Sequence, residues 1–515
     1  MDMALMGVDI GTTNLKAVVF APDGRELAKA TTPTQTEHPQ ADWAQLNYEV
    51  LWTDLARIIR EAACKLPDTY KLSAVAFTGM AEAGVPIDAS GNVLYPAITW
   101  YDRRVLPQLQ RWQESIGSNE TAQITGLPMA PMAGILRPMW LRDHAPDVFR
   151  RMQTWLNLPD YAAYRLCGSK VTEYSLASRM MVLDLGDARW SQALLDKAEL
   201  DHTMLGELAP SGTMIGRVNE SAAHETGLPV GLPVCTGGHD HLCAAVGLGV
   251  IKPGDLFDSI GTAEAVVATL SQRNQDPAIA SVGIAQGLHV VPGRYYAISG
   301  NAYGGGSIDW VRRLLMGAVI DQSLTFESLI ERAGKVAPGS DGVFFLPHLR
   351  QANPPIIDPS SRGAFVGLSS GTESGQLSRA VLEGVAYELQ RILDSVSECF
   401  SVTNRRLVAA GGGTRNRLLM QIKADVSGLP IVIPAVDEAT CLGAALAAGI
   451  GAGVYRDFED ALDRVAFSEQ VIEPDQPRHE LYRERYEKVF VRLYDSLRDV
   501  NHEISRWVRS DHTAH

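Results

Sequence analysis

Asp9-Ile10-Gly11-Thr12-Thr13 stands near the start of the chain between two apolar runs, Leu5 to Ile10 and Leu15 to Phe20. This pattern predicts two β-strands joined by a tight turn. A second turn, Pro22-Asp23-Gly24, precedes a third strand-like run from Glu26 to Thr31. The chain is therefore expected to open with a three-stranded meander.

The same hairpin pattern returns in the second half of the chain. There, Asp258-Ser259-Ile260-Gly261-Thr262-Ala263 precedes the apolar run Ala265 to Ala268. Gly11 and Gly261 lie 250 residues apart, which is too far for a solenoid repeat. Two unrelated hairpins could share a Gly-Thr pair, but a linker-like segment, residues 251–255, stands where a second copy should begin. We therefore predict two similar domains, residues 1–250 and 251–490, and a charged helical tail, residues 491–515.

Helix and strand patterns alternate in both halves. A helical stretch from Tyr48 to Lys65 precedes a strand from Leu72 to Phe77. A strand from Leu407 to Ala410 precedes a helix that ends near Ser427. This alternation is typical of the α/β class.

Two further segments are helical in pattern. Residues 108–211 carry Trp and Met at core spacing, so we expect a mostly helical cap or insertion on the first core. The alanine-rich stretch from Glu438 to Ala448 predicts a buried helix, because its small side chains allow close packing.

The composition excludes several classes of protein. The chain has 515 residues, with 46 Lys and Arg against 60 Asp and Glu, and a formal net charge of −14. So acidic a chain hardly offers the basic face that nucleic acids and anionic membranes require. The length suggests about two to four domains, not a small binding module. We expect neither a nucleic-acid nor a membrane partner.

Neither the cysteines nor the N-terminus points to secretion. The six cysteines include no C-x-x-C pair, so neither a zinc knuckle nor a disulfide framework is suggested. Residues 1–7 contain no basic segment before an apolar run, and no uncharged apolar segment reaches about 18 residues. A cytoplasmic protein is the expectation.

The two Gly-Thr turns offer a way to bind phosphate without basic side chains. Their backbone N–H groups and hydroxyls would converge on one point. Each copy also carries an acid in register, Asp9 and Asp258, and a carboxylate near phosphate requires a cation such as Mg²⁺ between them. The chain has no G-x-x-x-x-G-K-[ST] motif and no strand-to-helix G-x-G-x-x-G, so P-loop and dinucleotide-binding sites lack support.

A glycine run marks a second candidate ligand loop. Gly411-Gly412-Gly413 follows an apolar strand and precedes a helix, and it would let a ligand ring approach main chain that carries no Cβ atoms. A tight turn without a ligand explains the same glycines equally well. The location in the same half as Gly261 favours a nucleotide site.

Gly237-Gly238-His239-Asp240-His241 lies at the junction of the two halves, with Asp240 at the start of a helical run. Three roles are open for this aspartate. Asp240 can cap the helix, which is the commonest use of Asp at such a position. It can share a metal ion with His239 and His241, although no further cluster completes a ligand shell. It can also act as a general base in an interdomain cleft.

Acidic residues follow two strands of the first half. Trp100, Asp102 and Arg103 come after an apolar strand, where a Trp face beside Asp and Arg suits a polyol. A strand-end salt bridge explains these residues as well. Glu82 lies just past the strand before it, and in a buried position this acid would need hydroxyl or cationic partners.

Together, these motifs resemble those of the FGGY carbohydrate kinases, the family of glycerol kinase, xylulokinase, ribulokinase and gluconokinase. The resemblance covers about residues 5 to 490, in order and at the expected spacing. It implies an α/β fold of two ribonuclease-H-like domains, shared with actin, Hsp70 and hexokinase, with ATP and sugar in the interdomain cleft. It also implies transfer of the γ-phosphoryl group of Mg-ATP to a hydroxyl of a small sugar or polyol.

The resemblance assigns roles to the motif residues. Asp240 would be the catalytic base, and Asp9 would hold Mg²⁺ through water. The residues that would bind ATP are Gly11, Thr12, Thr13, Lys16, Gly261, Thr262, Gly411, Gly412, Gly413 and Asn416. The residues that would bind the sugar are Glu82, Trp100, Asp102, Arg103, Asp240 and His241.

Two departures from the family pattern leave the substrate open. Ala81-Glu82 stands where glycerol kinase has an Arg-Glu pair and xylulokinase a Met-His pair, and His241 stands where glycerol kinase has Gln. D-Xylulose or a related pentulose is the first expectation, and gluconate, a tetritol or a glycerol-type polyol is the alternative. Glu82 disfavours an aldonate, because a buried carboxylate repels a substrate carboxylate unless a cation lies between them.

Two other classes of function compete with a sugar kinase. An ATPase of the actin or Hsp70 type would share the hairpins and the glycine loop, but it would need no polyol motif like that at Trp100. A metal hydrolase would use His239, Asp240 and His241 and would bind zinc. A homodimer is compatible with either kinase or ATPase.

Overall fold

Two large β-sheets organise the computed structural model, which describes residues 1–318 and 325–513. The six strands of the first sheet are β1 (Asp2–Ile10), β2 (Asn14–Phe20), β3 (Glu26–Pro33), β4 (Tyr70–Gly79), β5 (Met214–Arg217) and β6 (Pro233–His239). The seven strands of the second are β7 (Asp255–Ile260), β8 (Glu264–Leu270), β9 (Ala285–Leu288), β10 (Tyr295–Asn301), β11 (Arg406–Ala410), β12 (Ile431–Pro434) and β13 (Glu469–Ile472). The predicted opening meander is β1 to β3.

The two sheets share one strand order. The first runs β3-β2-β1-β4-β6-β5, and the second runs β10-β8-β7-β11-β12-β13, with β9 added outside β10. The hairpins β1–β2 and β7–β8 are antiparallel, whereas β4 and β11 run parallel to the first strand of their sheet. The next strands, β6 and β12, run parallel to β4 and β11 and antiparallel to the edge strands β5 and β13. The predicted duplication of an α/β unit is therefore confirmed.

The main helices pack on these sheets or on neighbouring helices. They are α1 (Tyr48–Cys64), α2 (Leu158–Cys167), α3 (Asp240–Gly247), α4 (Gly304–Ala318), α5 (Ser374–Phe400), α6 (Arg417–Ser427), α7 (Ala439–Gly451) and α8 (Val491–Thr513). Helix α1 illustrates how local sequence favours a helix. Asn47 caps its first turn by accepting from the Glu49 N–H, and Leu51, Leu55 and Ile58 repeat on its buried face.

The insertion at residues 108–211 is less helical than predicted. Its further helices include Leu106–Ser115, Ser118–Thr125, Leu136–His144, Pro146–Arg151 and Gln192–Ala198, and its short strands include Thr154–Asn157, Val171–Glu173 and Glu207–Ala209. Trp112, Trp140 and Trp155 do form a separate apolar core there. Helix α2, however, belongs to the first core, because Leu158 and its neighbours pack against the first sheet.

The alanine-rich helix α7 joins the two halves. It packs on β1, β4 and β6 of the first sheet and on α3. A Cβ atom on Gly7 would lie 1.9 Å from the Cys441 carbonyl oxygen, and one on Gly443 would lie 1.9 Å from that of Cys243. Glycine therefore permits this close approach, and an apolar cluster that includes Leu5 and Phe257 spans both sheets. Helix α3 packs directly against α7 as a result.

Helix α8 covers most of the predicted tail, residues 491–515, of which 514 and 515 lie outside the described residues. Its His502 Nε2 lies 2.8 Å from Asp358 Oδ2, which attaches the helix to the second half. Among the described residues, no helix is both long enough and apolar enough to span a membrane.

Candidate active site

The first Gly-Thr turn lies where β1 and β2 meet. The Gly11 N–H donates to the Asn14 carbonyl oxygen at 3.1 Å, and the Thr34 hydroxyl donates to Gly11 O at 2.7 Å. Trp100 Nε1 donates to Thr12 Oγ1 at 3.2 Å, and Thr13 is exposed. Two motifs that are 88 residues apart in the chain, the turn and Trp100, therefore lie side by side.

Asp9 is buried at the end of β1, and its Oδ1 makes no hydrogen bond to any described residue. Burial and the nearby Asp240 carboxylate raise the pKa of Asp9 to about 8, although Lys16 acts in the opposite direction. A buried carboxylate oxygen without a partner, close to a second acid, suits a divalent cation. The donor set here therefore fits Mg²⁺.

Lys16 lies opposite Asp9 on the neighbouring strand. Its Nζ lies 2.6 Å from Oε2 of Glu438, the residue just before α7, and the same glutamate also bonds Lys29 at 3.3 Å. The Lys16 ammonium thus links the two halves in this structure. The ammonium has further N–H donors, and the phosphate contact predicted for Lys16 stays a prediction.

Asp240 is the first residue of α3, directly after β6. Its Oδ1 accepts from the His241 N–H at 2.6 Å and lies 2.8 Å from His241 Nδ1 and 3.1 Å from His239 Nε2. Burial acts to raise the pKa of Asp240, but the two histidines outweigh it and hold that pKa well below its usual range. Asp240 is therefore ionised at neutral pH. None of the described contacts uses Oδ2, so that oxygen can face a substrate.

The helix-cap role of Asp240 is not found. The N-cap position of α3 is His239, and it makes no side-chain capping bond. The three residues His239, Asp240 and His241 do form a cluster of metal-ligating type within the described chain. Burial acts to lower the pKa of His241, but the Asp240 carboxylate raises it above its usual value. Both imidazole rings thus contact the Asp240 carboxylate. This favours a role in positioning the carboxylate over a role in zinc binding.

A second set of residues holds the strand end that carries Asp240. The Thr78 hydroxyl donates to Gly238 O at 2.8 Å, and the His239 N–H donates to Ser175 Oγ at 2.9 Å. Ser175 in turn bonds Glu173, whose pKa is raised to about 8 by burial. No sequence pattern predicts this role for Glu173 and Ser175, because nothing local connects them to His239, which lies 64 positions from Ser175.

Glu82 is buried and has the cationic partner that it was expected to need. The Arg179 Nε donates to Glu82 Oε1 at 2.6 Å. Arg179 was not predicted, because it stands 97 residues further along, in a short 3-10 turn (Ser178–Met180) of the insertion. Ala81 stands where glycerol kinase has an arginine next to the glutamate, and here Arg179 of the insertion supplies a guanidinium to Glu82 instead.

Asp102 and Arg103 lie in different surroundings. The Asp102 side chain is fully buried, with its Oδ2 2.8 Å from Arg104 Nη2 and accepting from the Ala44 N–H at 2.6 Å. Arg103 is exposed. The Asp102 carboxylate thus forms the strand-end salt bridge considered above, and the sugar contacts predicted for Asp102 and Arg103 stay predictions.

The second turn and the glycine loop lie together. Gly261 and Thr262 are exposed at the end of β7. A Cβ atom on Gly411 would lie 2.6 Å from Ile260 O, and one on Gly413 would lie 2.2 Å from Ile260 Cγ2. These two glycines therefore let the loop, with the exposed Gly412, lie directly against the strand that leads to Gly261.

Asn416 closes the glycine loop at the start of α6. Its Oδ1 accepts from the Leu419 N–H at 3.1 Å and caps the helix, while its buried Nδ2 makes no hydrogen bond to the described residues. The free amide group is available to a ligand in the loop. The ATP contacts predicted for this loop and for both turns stay predictions.

The acids of the two hairpins are not in register, contrary to the sequence alignment. Asp9 lies opposite Lys16 in the first hairpin, whereas Ser259 lies opposite Ala265 in the second. Asp258 therefore matches Val8 and points into the core. Asp9 stands two residues before Gly11, whereas Asp258 stands three residues before Gly261, so the two acids are offset by one residue in the sequence itself.

Both halves of the chain match one family. Residues 4–247 match the N-terminal domain of the FGGY family of carbohydrate kinases, and residues 257–452 match its C-terminal domain. The chain belongs to this family. It is an ATP-dependent carbohydrate kinase, a phosphotransferase, and neither an actin-like switch nor a metal hydrolase.

Individual members of the FGGY family match nearly the whole chain. The autoinducer-2 kinase of Escherichia coli (strain K12) is 31% identical over 531 residues, covering 97% of this chain and 96% of the relative. The xylulose kinase of Lactococcus lactis is 26% identical, with 97% and 98% covered. The crystal structure of xylulose kinase from Rhodospirillum rubrum superposes with a TM-score of 0.89 at 28% identity, covering 97% and 100%. The match extends through both domains in each case.

Proposed function

We propose that this FGGY kinase phosphorylates a primary hydroxyl of an uncharged open-chain pentulose, with D-xylulose as the first candidate. The observation that supports this choice is the ionised Asp240 beside the Glu82–Arg179 ion pair. Asp240 suits a hydroxyl that must lose a proton. Arg179 and His241 are each already paired with an acid, so a substrate carboxylate would have to compete with Glu82 or Asp240.

Asp240 has two tasks in the reaction. Its Oδ2 orients the acceptor hydroxyl for in-line attack on the γ-phosphorus and then accepts the hydroxyl proton. Because the histidines keep its pKa low, Asp240 is a weak base toward a free alcohol. Proton transfer therefore follows the start of bond formation to phosphorus, which makes the hydroxyl more acidic.

The phosphates are held by the two turns. Backbone N–H groups of Thr12, Thr13 and Thr262 donate to phosphate oxygens, because those of Gly11 and Gly261 are used within the turns. The loop at Gly411–Gly413 receives the adenosine. Asp9 would hold Mg²⁺, directly or through water. The ion supplies positive charge that neutralises the transferring phosphoryl group.

Autoinducer-2 is a second candidate acceptor. The relatives named autoinducer-2 kinase are 31% and 32% identical to this chain, against 25% and 26% for those named xylulose kinase. Gluconate is less favoured because of Glu82. The solved gluconate kinase of Lactobacillus acidophilus, at 22% identity, shows the shared fold alone.

An acceptor screen tests the proposal. The purified chain is given Mg-ATP and, in turn, D-xylulose, L-xylulose, D-ribulose, autoinducer-2, gluconate, erythritol, glycerol or no acceptor, and ADP release is followed with a coupled assay. We expect kcat/KM for one pentulose to exceed that for gluconate by at least about 100-fold. A preference for gluconate overturns the proposal, and a preference for autoinducer-2 replaces the pentulose by the second candidate.

A further inference from the structure

The strand that carries Asp240 is irregular at its end. In β6, the pairing with β4 shifts by one residue between Thr236 and Gly238, which forms a β-bulge. A bulge leaves one residue outside the ladder of main-chain hydrogen bonds, and bulges next to active sites redirect a side chain. The end of β6 therefore needs other groups to fix the direction in which Asp240 leaves the strand.

Side-chain hydroxyls hold the main chain of this bulge. They belong to Ser211, Thr78 and Ser175, and they bond Gly237 O, Gly238 O and the His239 N–H, in that order. The Ser175 contact, at 2.9 Å, is made to the residue directly before Asp240. The His239 Nε2 in turn lies 3.1 Å from Asp240 Oδ1. Ser175 therefore fixes both the main chain that leads to the carboxylate and the residue whose ring contacts it.

Glu173 orients the Ser175 hydroxyl. Its Oε2 accepts from that hydroxyl, and it also accepts from the Ser175 N–H at 2.7 Å and from the Leu176 N–H at 3.1 Å. A serine hydroxyl has one proton to donate. Because this proton points to Glu173, a lone pair of Ser175 Oγ is left to accept from the His239 N–H.

Capping of a helix does not by itself account for Glu173. The helix that it precedes has only four residues, Tyr174–Ala177, and the residues that usually cap helices are Ser, Thr, Asn and Asp. Glu173 and Ser175 are both buried. Burial raises the pKa of Glu173 to about 8, a cost that a neutral capping residue would avoid. Two buried side chains thus act on one main-chain N–H at the end of the strand that carries Asp240.

The same segment is anchored to the first domain. The Glu173 N–H donates to Asp160 Oδ1 at 3.3 Å, and Asn157 Nδ2 donates to Asp160 Oδ2 at 3.0 Å. Asp160 lies on α2, which packs on β4 and β6. Gly238 allows the close approach, because its φ is +152° and a Cβ atom there would lie 2.9 Å from Ser175 Oγ. The segment therefore contacts the strand directly and is held there by α2.

We propose that Glu173 and Ser175 are positioning residues for phosphoryl transfer. Glu173 orients the Ser175 hydroxyl, and this hydroxyl holds the main chain of His239 so that Asp240 Oδ2 meets the acceptor hydroxyl. A small displacement of reacting groups lowers the rate strongly, even when the displaced residue binds no substrate. This inference rests on the proposed function, in which Asp240 is the base.

Substitutions at both residues test the proposal in the full-length chain. Ser175→Ala and Glu173→Ala should lower kcat about 10- to 100-fold, while KM for ATP and for the preferred acceptor should change less than about threefold. Glu173→Gln keeps an oxygen acceptor for the Ser175 hydroxyl and should recover most of the lost kcat.

The second half of the chain offers a matched control. Ser340 is buried, and its hydroxyl donates to Oε2 of the buried Glu383 at 2.8 Å. Ser340→Ala removes the same kind of serine–glutamate bond far from Asp240 in sequence. It should lower Tm about as much as Ser175→Ala does, with kcat unchanged.

A double-mutant cycle separates positioning from structural support. If Ser175 acts through Asp240, Ser175→Ala should lower kcat less than about threefold in the Asp240→Asn background, where no base is left to position. Equal fold-losses of kcat in the two backgrounds would overturn the proposal. Wild-type kcat in a folded Ser175→Ala would overturn it as well.

A thiol at residue 175 serves if the alanine variant does not fold. Ser175→Cys has nearly the same shape as the wild type, but sulfur is a weak acceptor, so kcat should still fall. Wild-type kcat in this variant would overturn the proposal. If the wild type phosphorylates no acceptor of the screen, or if Asp240→Asn turns over like the wild type, the proposed function fails and this inference with it. If those tests succeed and the Ser175 variants match the wild type, only the positioning role fails.

Discussion

The hairpins β1–β2 and β7–β8 have the same antiparallel pairing, but their charged residues lie on opposite faces of the sheet. In the first, the second cross-strand pair from the turn is Asp9 and Lys16, and both face the site. In the second, the equivalent pair is Ser259 and Ala265, which are neutral and small. Both turns can offer backbone donors to phosphate, but only the first has a carboxylate that can hold a cation.

The two hairpins also differ on the face that is turned toward the core. Val8 and Leu15 are apolar and buried in the first, whereas Asp258 and Glu264 occupy the matching positions in the second. Lys423 lies between these acids, with its Nζ 2.7 Å from Asp258 Oδ2 and also bonded to Glu264. One copy thus uses charge for the site and the other uses it inside its core, which shows that duplicated structure does not imply duplicated chemistry.

Removal of the carboxylate beside the first hairpin should have the largest effect. Asp240→Asn keeps the shape but cannot accept a proton, so kcat should fall about 10²- to 10⁴-fold, with little change in KM for ATP or acceptor. Steady-state kinetics and the thermal midpoint Tm of Asp240→Asn and Asp240→Ala check this. Near-wild-type turnover in Asp240→Asn would remove Asp240 from the mechanism.

The buried cation of the second hairpin should matter for stability. Lys423→Met leaves Asp258 and Glu264 together without a counter-charge, so the free energy of unfolding should fall by about 3–5 kcal/mol. Urea unfolding measures this free energy. The control is the triple variant Asp258→Val, Glu264→Leu and Lys423→Met, which copies the first hairpin and should recover most of the loss. If Lys423→Met is as stable as the wild type, Lys423 is not needed to neutralise Asp258 and Glu264.

Matched substitutions next to the two turns compare the hairpins directly. Asp9→Asn should lower kcat about 10- to 100-fold and weaken the apparent affinity for Mg²⁺, because it removes the cation-binding carboxylate. Ser259→Asn, at the equivalent position, should change kcat less than about twofold. A Mg²⁺ titration of the kinase rate for both variants checks this. Similar losses at both positions would contradict the asymmetry.

The pH dependence of Mg²⁺ binding should be the smallest of these effects. The pKa of Asp9 without metal is about 8, so below pH 8 the ion must displace a proton. Apparent Mg²⁺ affinity should therefore strengthen from pH 6 to pH 8 and level off above it, and Asp9→Asn should abolish this dependence. Isothermal titration calorimetry at several pH values measures the change.

The same pKa predicts a change in stability without metal. A carboxyl whose folded-state pKa is raised contributes stability at pH below its unfolded value of about 4, and that contribution is lost as pH rises through 8. In EDTA, the Tm of the wild type should therefore fall relative to that of Asp9→Asn between pH 5 and pH 9. Parallel curves for the two proteins would show that Asp9 does not titrate in this range.

Local patterns decided much of this protein before tertiary structure entered. Apolar alternation and turn residues predicted β1 to β3, helix α1 and the glycine loop, because the free energies that select a strand, a turn or a helix depend on a few neighbouring residues. The family resemblance then assigned Asp240, for which the residues alone left three roles open.

Tertiary packing decided the rest. Glu82 and Arg179 meet across 97 positions, and Lys423 meets Asp258 across 165 positions. No spacing rule predicts such outcomes. Which buried charges become partners depends on how helices and sheets far apart in sequence come together, and the cost of burying an unpaired charge then selects the pairs.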